Sequence, residues 1–496
     1  MPYETVFRAP LEIADGQATI SWLNNDKGFQ LDGRNIDVKA KAVHARGGFR
    51  YLQPANDEPW LGILAGISTD DGSQAWRYFP ENLMGKDLVD YLSGAIQGGE
   101  ADNATLVYGG NPQLFPYKHN EGQFEVLVPL RNAKFAFQPD WPALTNLDIE
   151  LDFINDGLWM KTDGVNLGGV RASNLTAVIP DYSKEKLLID ADIKGPGKAV
   201  GPYFDETPLK DSLGATLQEL QLDGDVNARL HLDIPLNGEL VTAKGEVTLR
   251  NNSLFIKPLD STLKNLSGKF SFINGDLQSE PLTASWFNQP LNVDFSTKEG
   301  AKAYQVAVNL NGNWQPAKTG VLPEAVNEAL SGSVAWDGKV GIDLPYHAGA
   351  TYNVELNGDL KNVSSHLPSP LAKPAGEPLA VNVKVDGNLN SFELTGQAGA
   401  DNHFNSRWLL GQKLTLDRAI WAADSKTLPP LPEQSGVELN MPPMNGAEWL
   451  ALFQKGAAES VGGAASFPQH ITLRTPMLSL GNQQWNNLSI VSQPTA

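Results

Sequence analysis

Alternation of apolar and polar residues at every second position constrains this chain more than any other feature. In "VNARLHLDIPL" (226–236), Val226, Ala228, Leu230, Leu232, Ile234 and Leu236 fall on even positions, and Asn227, Arg229, His231, Asp233 and Pro235 on odd ones. A β-strand has a side-chain period of two, so one face of this segment is apolar and the other wet. Burying a Val, Leu or Ile side chain contributes roughly 1.5–3 kcal/mol, so the segment gains on the order of 10 kcal/mol by finding an apolar partner. Its even face must be covered.

The pattern recurs from end to end. "NIDVKAKAV" sets Ile36, Val38, Ala40 and Ala42 against Asp37, Lys39 and Lys41, and "LDIELDF" sets Leu147, Ile149, Leu151 and Phe153 against Asp148, Glu150 and Asp152. "LIDADI" (Ile189, Ala191, Ile193), "YQVAVNL" (Tyr304, Val306, Val308, Leu310) and "VNVKV" (Val381, Val383, Val385) continue it, with weaker copies in "YNVEL" around Val354 and "LSIV" from Leu488. Each reads as a half-buried strand. Asn-Gly and Asp-Gly pairs in "LDGD" (222–225), "LNGE" (236–239), "INGD" (273–276), "LNGN" (310–313), "LNGD" (356–359) and "VDGN" (385–388) accept the positive φ of tight hairpins, so a long antiparallel meander is expected. Helical spacing is confined to 85–98, 322–332, 445–460 (with Asn445 as N-cap) and, more weakly, 207–220. These helices are too few to cover a sheet built from most of the chain. Three stretches are expected: 1–205 with the first helix, 206–320, and 321–496 with Pro-rich loops and the last helix.

Composition narrows the function. With 496 residues, 41% hydrophobic and 19% charged, the chain folds rather than staying disordered. A net charge of −19 argues against nucleic acid, which needs clustered Lys and Arg; the longest basic feature is "RGGFR", Arg46 to Arg50. The absence of cysteine removes disulfides, thiol nucleophiles and thiolate-bound metals together. No run of about 18 apolar residues occurs, and the opening "MPYETVFRAPLEIADG" does not have the basic start and apolar core of a signal peptide. Because Met1 stands directly before strand-like sequence, an excised fragment is expected.

Chemical motifs are sparse. His44, His119, His231, His347, His366, His403 and His470 have no zinc-like spacing, and His231 falls on the polar side of its strand. Nucleophile-elbow, dinucleotide and P-loop patterns are missing; "STLK" (Ser261 to Lys264) matches S-x-x-K at the level expected by chance. Asp148, Glu150 and Asp152 share a strand face and would suit a cation or acid–base work, but a solvated outer face explains their alternation with apolar partners without further assumption and is the preferred reading. Trp60, Trp286, Trp314, Trp408 and Trp485 are dispersed, as packing residues are. No cofactor and no metal are called for. The apolar face is left with a second sheet, barrel closure, a solenoid or a non-protein ligand as its cover.

Two segments go further. "LSGKFSFINGDLQSEPLTASWFNQPLNVDF" (266–295) and "LNGDLKNVSSHLPSPLAKPAGEPLAVNVKVDG" (356–387), together with "LLIDADIKGPGKAVGPYF" (187–204), resemble the AsmA-like family of bacterial envelope proteins, and the resemblance runs over essentially the whole chain. It implies an all-β fold: a long, mostly antiparallel, twisted sheet bent into a half-pipe with an apolar inner groove, as in bridge-like lipid transfer proteins. About 25 strands spaced at roughly 4.8 Å would extend on the order of 120 Å. The implied activity is a non-enzymatic lipid conduit carrying phospholipids through the periplasm from inner to outer membrane and supporting the outer-membrane barrier. The larger relatives carry an inner-membrane helix and further sequence beyond both ends, so this chain is read as a middle fragment and as a monomer. The lining, inferred from the period of two, comprises Ile36, Val38, Ile149, Leu151, Ile189, Val226, Leu230, Leu232, Val306, Val308, Val354, Val381 and Val383. A structural β-solenoid or adhesin with a closed dry core is the alternative; a polysaccharide-active enzyme using the clustered carboxylates ranks third.

Overall fold

A computed structural model describes residues 7–10, 12–137, 140–207, 210, 214–237, 239–257, 261–320, 322–411, 413–457 and 465–492. The chain divides into two compact units, Met1–Thr248 with Ser271–Asn274, and Leu249–Phe270 with Gly275–Ala496. Both are predominantly β.

The first unit holds β1 (Ile13–Asn25), β2 (Gly28–Ala40), β3 (His44–Pro54), β4 (Trp60–Thr69), α1 (Glu81–Met84), α2 (Lys86–Ala95), β5 (Ile96–Gly110), β6 (Gln123–Phe135), β7 (Leu144–Ile154), β8 (Gly157–Leu167), β9 (Val170–Ile179), β10 (Lys186–Pro196), α3 (Val200–Phe204), α4 (Ala215–Glu219), β11 (Leu220–Asp223) and β12 (Asp225–Pro235). From β1 to β10 every strand pairs antiparallel with the next, and β12 returns along β10. The opening segment "VNARLHLDIPL" is therefore a strand, as its period requires. Register shifts fall where asparagines adopt left-handed backbone, at Asn35 (φ 52), Asn132 (φ 51) and Asn174 (φ 52). Asn tolerates this conformation, and each bulge adds local twist while restoring the apolar phase.

β13 (Thr242–Ile256) and β14 (Ser261–Ile273) contribute residues to both units. The second unit continues with β15 (Asp276–Ser279), β16 (Leu282–Trp286), β17 (Gln289–Glu299), β18 (Ala303–Trp314), α5 (Glu324–Asn327), β19 (Leu330–Gly332), β20 (Val334–Pro345), β21 (Thr351–Asp359), β22 (Val363–Ser365), β23 (Ala380–Asn388), β24 (Ser391–Ala398), β25 (Asn402–Leu409), β26 (Leu414–Ala423), β27 (Gly436–Asn440), β28 (Met444–Asn445), α6 (Gly446–Ala457), β29 (Ala465–Ser466), β30 (Ile471–Leu480) and β31 (Gln483–Ser492). An antiparallel ladder runs β16–β17–β18–β20–β21–β23–β24–β25–β26. β19 and β22 form a separate two-stranded piece. Beyond β26 the hand of pairing changes: β26–β27 and β27–β30 are parallel, because the connections there are long enough to cross over, α6 among them. The sheet is mixed at this end.

Local expectations are modified in three ways. "LNGN", "LNGD" and "VDGN" are not hairpin turns; they lie inside β18, β21 and β23. Two of their glycines make room for aromatic rings instead: a Cβ on Gly387 would stand 2.5 Å from the ring of Tyr352 on the opposing strand, and one on Gly312 would stand 2.8 Å from the indole of Trp314 on its own strand. The helix expected over 322–332 shrinks to α5, since residues 330–332 join β19. Of the 207–220 segment only α4 is a regular helix, with residues 208, 209 and 211–213 outside the described ones, as are residues 458–460 of the last helix. Asn445 does cap α6, its Oδ1 accepting the Ala447 N–H at 3.0 Å.

Candidate functional site

Residues directly opposed in a ladder share a face of the sheet. In the first unit Val38 opposes Ala45, Ala45 opposes Ile67, and Ile67 opposes Ala104. Two residues along β5, Leu106 opposes Val126, which opposes Phe153. Leu151 then opposes Met160, Met160 opposes Ala177, Ala177 opposes Ile189, and Ile189 opposes Leu232. Ile36, Val38, Ile149, Leu151, Ile189, Val226, Leu230 and Leu232 consequently stand on one side of that unit's sheet. In the second unit Val308 opposes Val340, Val340 opposes Val354, and Val354 opposes Val385, so Val306, Val308, Val354, Val381 and Val383 again share one side.

The two faces are not equally covered. In the first unit α2 presents Leu88, Val89 and Leu92, each 0% exposed, to a core that includes Leu130, Ile149, Leu151, Leu158, Ile179 and Ile189. Their i, i+1, i+4 spacing on a ten-residue helix forms one apolar stripe, while Asp87 and Asp90 face away. Arg8 ties the helical segment down, with hydrogen bonds to the carboxylates of Glu81 and Asp90 and to the Lys86 carbonyl. Ile149, Leu151 and Ile189 thus lie against protein, Val226 is also buried and Leu232 is half-buried against the same core, whereas Ile36, Val38 and Leu230 are half-buried outside it. In the second unit Val308, Val354, Val381 and Val383 are half-buried too, and Val306 is 9% exposed. Toward its far end Trp449 of α6 packs on a small cluster of Ala423, Met441 and Met444 with Trp421, Leu439 and Leu473, and its indole N–H donates to the Ser369 carbonyl of the Pro-rich loop.

The aromatic residues are less scattered than their spacing suggests. Trp286, Trp314 and the previously unremarked Trp336 form a contiguous row, with ring centroids 6.1 and 4.8 Å apart. Trp314 and Trp336 belong to the face of Val308, and Gly312 leaves the room they occupy. Trp408 stacks on Phe392 at an interplanar angle of 12°.

Asp148, Glu150, Asp152 and His231 fall on the other side. Asp148 Oδ1 accepts the Asn132 N–H at 3.0 Å, and Glu150 pairs with Lys161 at 2.8 Å. Asp152, whose Oδ1 is buried without a partner, has its carboxyl pushed up by burial and by the charges of Glu125 and Glu150. His231 meets Asp190 at 2.9 Å, and the Ser261 hydroxyl of "STLK" accepts the Trp286 indole N–H at 2.7 Å. Among the described residues there is no group of His, Asp and Glu arranged to hold a metal ion, and no helix is long and apolar enough to cross a membrane.

Comparison with known proteins places this geometry in context. The family described as YhdP protein matches residues 1–496. The chain is 99% identical over 496 residues to the intermembrane phospholipid transporter YhdP of Escherichia coli (strain K12), covering all of this chain and 39% of that protein. It therefore spans well under half the length of its relative. No solved structure matches.

Proposed function

Because the chain belongs to the YhdP family, we propose that it forms a length of non-enzymatic phospholipid conduit whose apolar sheet faces receive acyl tails. The observation that carries this reading is the coincidence of the alternating apolar positions on one side within each unit, where Ile36, Val38, Val308, Val354, Val381 and Val383 are only half-buried. A lipid leaving a bilayer loses about 0.8 kcal/mol for every methylene exposed to water. A lining of Val, Leu and Ile offsets that loss without discrete sites, so tails slide with low barriers while the headgroup stays hydrated at the open side. The lining runs through Ile36, Val38 and Leu230 in the first unit and through Val306, Val308, Val354, Val381 and Val383 in the second. The whole protein would hold this stretch in the periplasm, anchored in the inner membrane and delivering phospholipid to the outer membrane, with the outer-membrane barrier depending on the supply.

Solvent extraction and lipid mass spectrometry of the purified chain, with native mass spectrometry to count bound molecules, test the reading. Several phospholipids per chain are expected, and a photo-crosslinker at Val308 or Ile36 labels them while one at Arg229 or Asn309 does not. Replacing Leu230 and Val308 with Asp is expected to abolish lipid transport, and Glu150→Gln to leave it intact. A lipid-free chain would overturn the conduit and favour the dry-core solenoid, a reading supported in part by the seal that α2 makes over β6 to β10.

A further inference from the structure

The basic motif "RGGFR" is not used by the apolar face. Along β3 its residues alternate, so that Gly47 and Phe49 point with the lining while Arg46, Gly48 and Arg50 point to the opposite side. There Arg50 opposes Gly62 of β4, and Arg46 opposes Gly66. Arg34 joins from β2, its Cα 3.9 Å from where a Cβ on Gly48 would be. The three guanidinium groups border an open cleft of about 830 Å³ over β2 to β4.

Glycine makes the cleft. A Cβ on Gly66 would meet nothing within 4 Å, so β4 is open there, with Leu64, 65% exposed, standing between Gly62 and Gly66 on the same face. A Cβ on Gly62 would be 2.2 Å from the Trp60 ring, so the indole lies over that glycine as a wall and remains 42% exposed. Gly48 permits the backbones to approach, since a Cβ would stand 2.8 Å from the Gly33 carbonyl oxygen.

Charge here runs against the rest of the chain, whose net charge is −19. Two carboxylates serve three arginines: Asp32 accepts Arg50 Nε at 2.7 Å with Arg34 3.8 Å away, and Asp37 accepts Arg46 Nε at 3.1 Å while also meeting His44. Arg46 and Arg50 therefore use Nε toward the sheet, and their side chains stay 68% and 49% exposed, with Arg34 at 66%. Arginine forks held from behind by carboxylates present their remaining N–H donors in the geometry that suits phosphate oxygens.

We propose that this cleft is a binding site for a phosphate group, held by Arg34, Arg46 and Arg50 over a floor of Gly62, Leu64 and Gly66. It lies on the side of the sheet opposite the proposed lining, so it stands or falls apart from the conduit. A phosphodiester lipid headgroup at a membrane surface and a soluble phosphoester offer the same chemistry.

The test uses the whole 496-residue chain. Glycerol 3-phosphate is titrated by calorimetry, and flotation is measured with vesicles of phosphatidylglycerol against vesicles of phosphatidylcholine. Binding of either phosphate source is expected to weaken at least tenfold in an Arg46→Gln/Arg50→Gln double variant. Gly66→Val, which fills the floor without changing any charge, is expected to weaken it as well while leaving circular dichroism and lipid content unchanged. Capture of glycerol 3-phosphate assigns a soluble ligand, and selective flotation with phosphatidylglycerol assigns a headgroup; either supports the site. Absence of both, persistence in the double variant, insensitivity to Gly66→Val, or equal binding of polyglutamate would overturn it.

Discussion

The sheet under α2 in the first unit and the β17 to β24 ladder in the second start from the same alternation, yet they end in different environments. Leu151 and Val308 sit in near-identical sequence contexts, apolar residues flanked by polar ones, but Leu151 is 2% exposed in a core that α2 helps to form while Val308 is only half-buried. The difference teaches that period specifies a face and leaves its cover to distant segments. An apolar strand face is equally ready for Leu92 of α2 and for an acyl chain, since the hydrophobic effect has no direction. Whether such a face becomes core or lining is decided by residues far away in the chain.

That contrast is broken most sharply by a charge. Leu151→Asp places an unpartnered carboxylate inside a sealed core and is expected to cost about 4 kcal/mol of stability. Val308→Asp keeps access to solvent and is expected to cost about 1–2 kcal/mol, its main effect being loss of bound lipid. Urea denaturation with lipid mass spectrometry measures both; equal destabilisation would mean that the two faces are covered alike. Leu92→Ala comes next, at about 3 kcal/mol for the cavity left in the same core. It also sharpens the comparison, because a crosslinker at Leu151 is expected to stay silent toward lipid in the parent and to label it once α2 is loosened.

Much of this architecture could be read from residues alone. The strand at 226–236, the face shared by Ile36, Val38, Ile149, Leu151 and Ile189, and the N-cap at Asn445 all follow from local chemistry. The seal over β6 to β10 could not be read in this way, because it depends on a contact between α2 and strands that follow it by many residues. The glycines were misread for a different reason. Asn-Gly and Asp-Gly satisfy a turn, but Gly387 is placed where the Tyr352 ring crosses from the neighbouring strand, which only the register reveals, and Gly312 where Trp314 of its own strand folds back. Gly396 is the strictest case, since a Cβ there would be 1.8 Å from Phe404 Cζ. Gly396→Ala is accordingly expected to lose about 1–3 kcal/mol by overpacking, whereas Gly109→Ala, with nothing within 4 Å of its Cβ, is expected to be near neutral. Thermal unfolding of the pair distinguishes a glycine that makes room for a ring from one that does not.

The smallest expected effect lies on the polar side of the covered sector. Asp152 stands on β7 between Ile149 and Leu151 in sequence and Phe153 and Ile154 beyond, and its carboxyl is held above the usual range by burial first and by Glu125 and Glu150 next. A raised folded-state pKa means that the native protein binds the proton more tightly than the unfolded chain, so stability declines as pH rises from the unfolded value, about 3.9, through the folded one. Asp152→Asn removes that decline. The variant is expected to melt slightly above the parent at pH 7, with the difference shrinking as pH falls through the folded pKa and vanishing below about pH 4. The opposite sign, a variant less stable than the parent at pH 7, would mean that Asp152 is paired on that face rather than crowded by its neighbours. The outer surface of the covered sector would then be held by its carboxylates, as Asp32 and Asp37 hold the arginines of the open one.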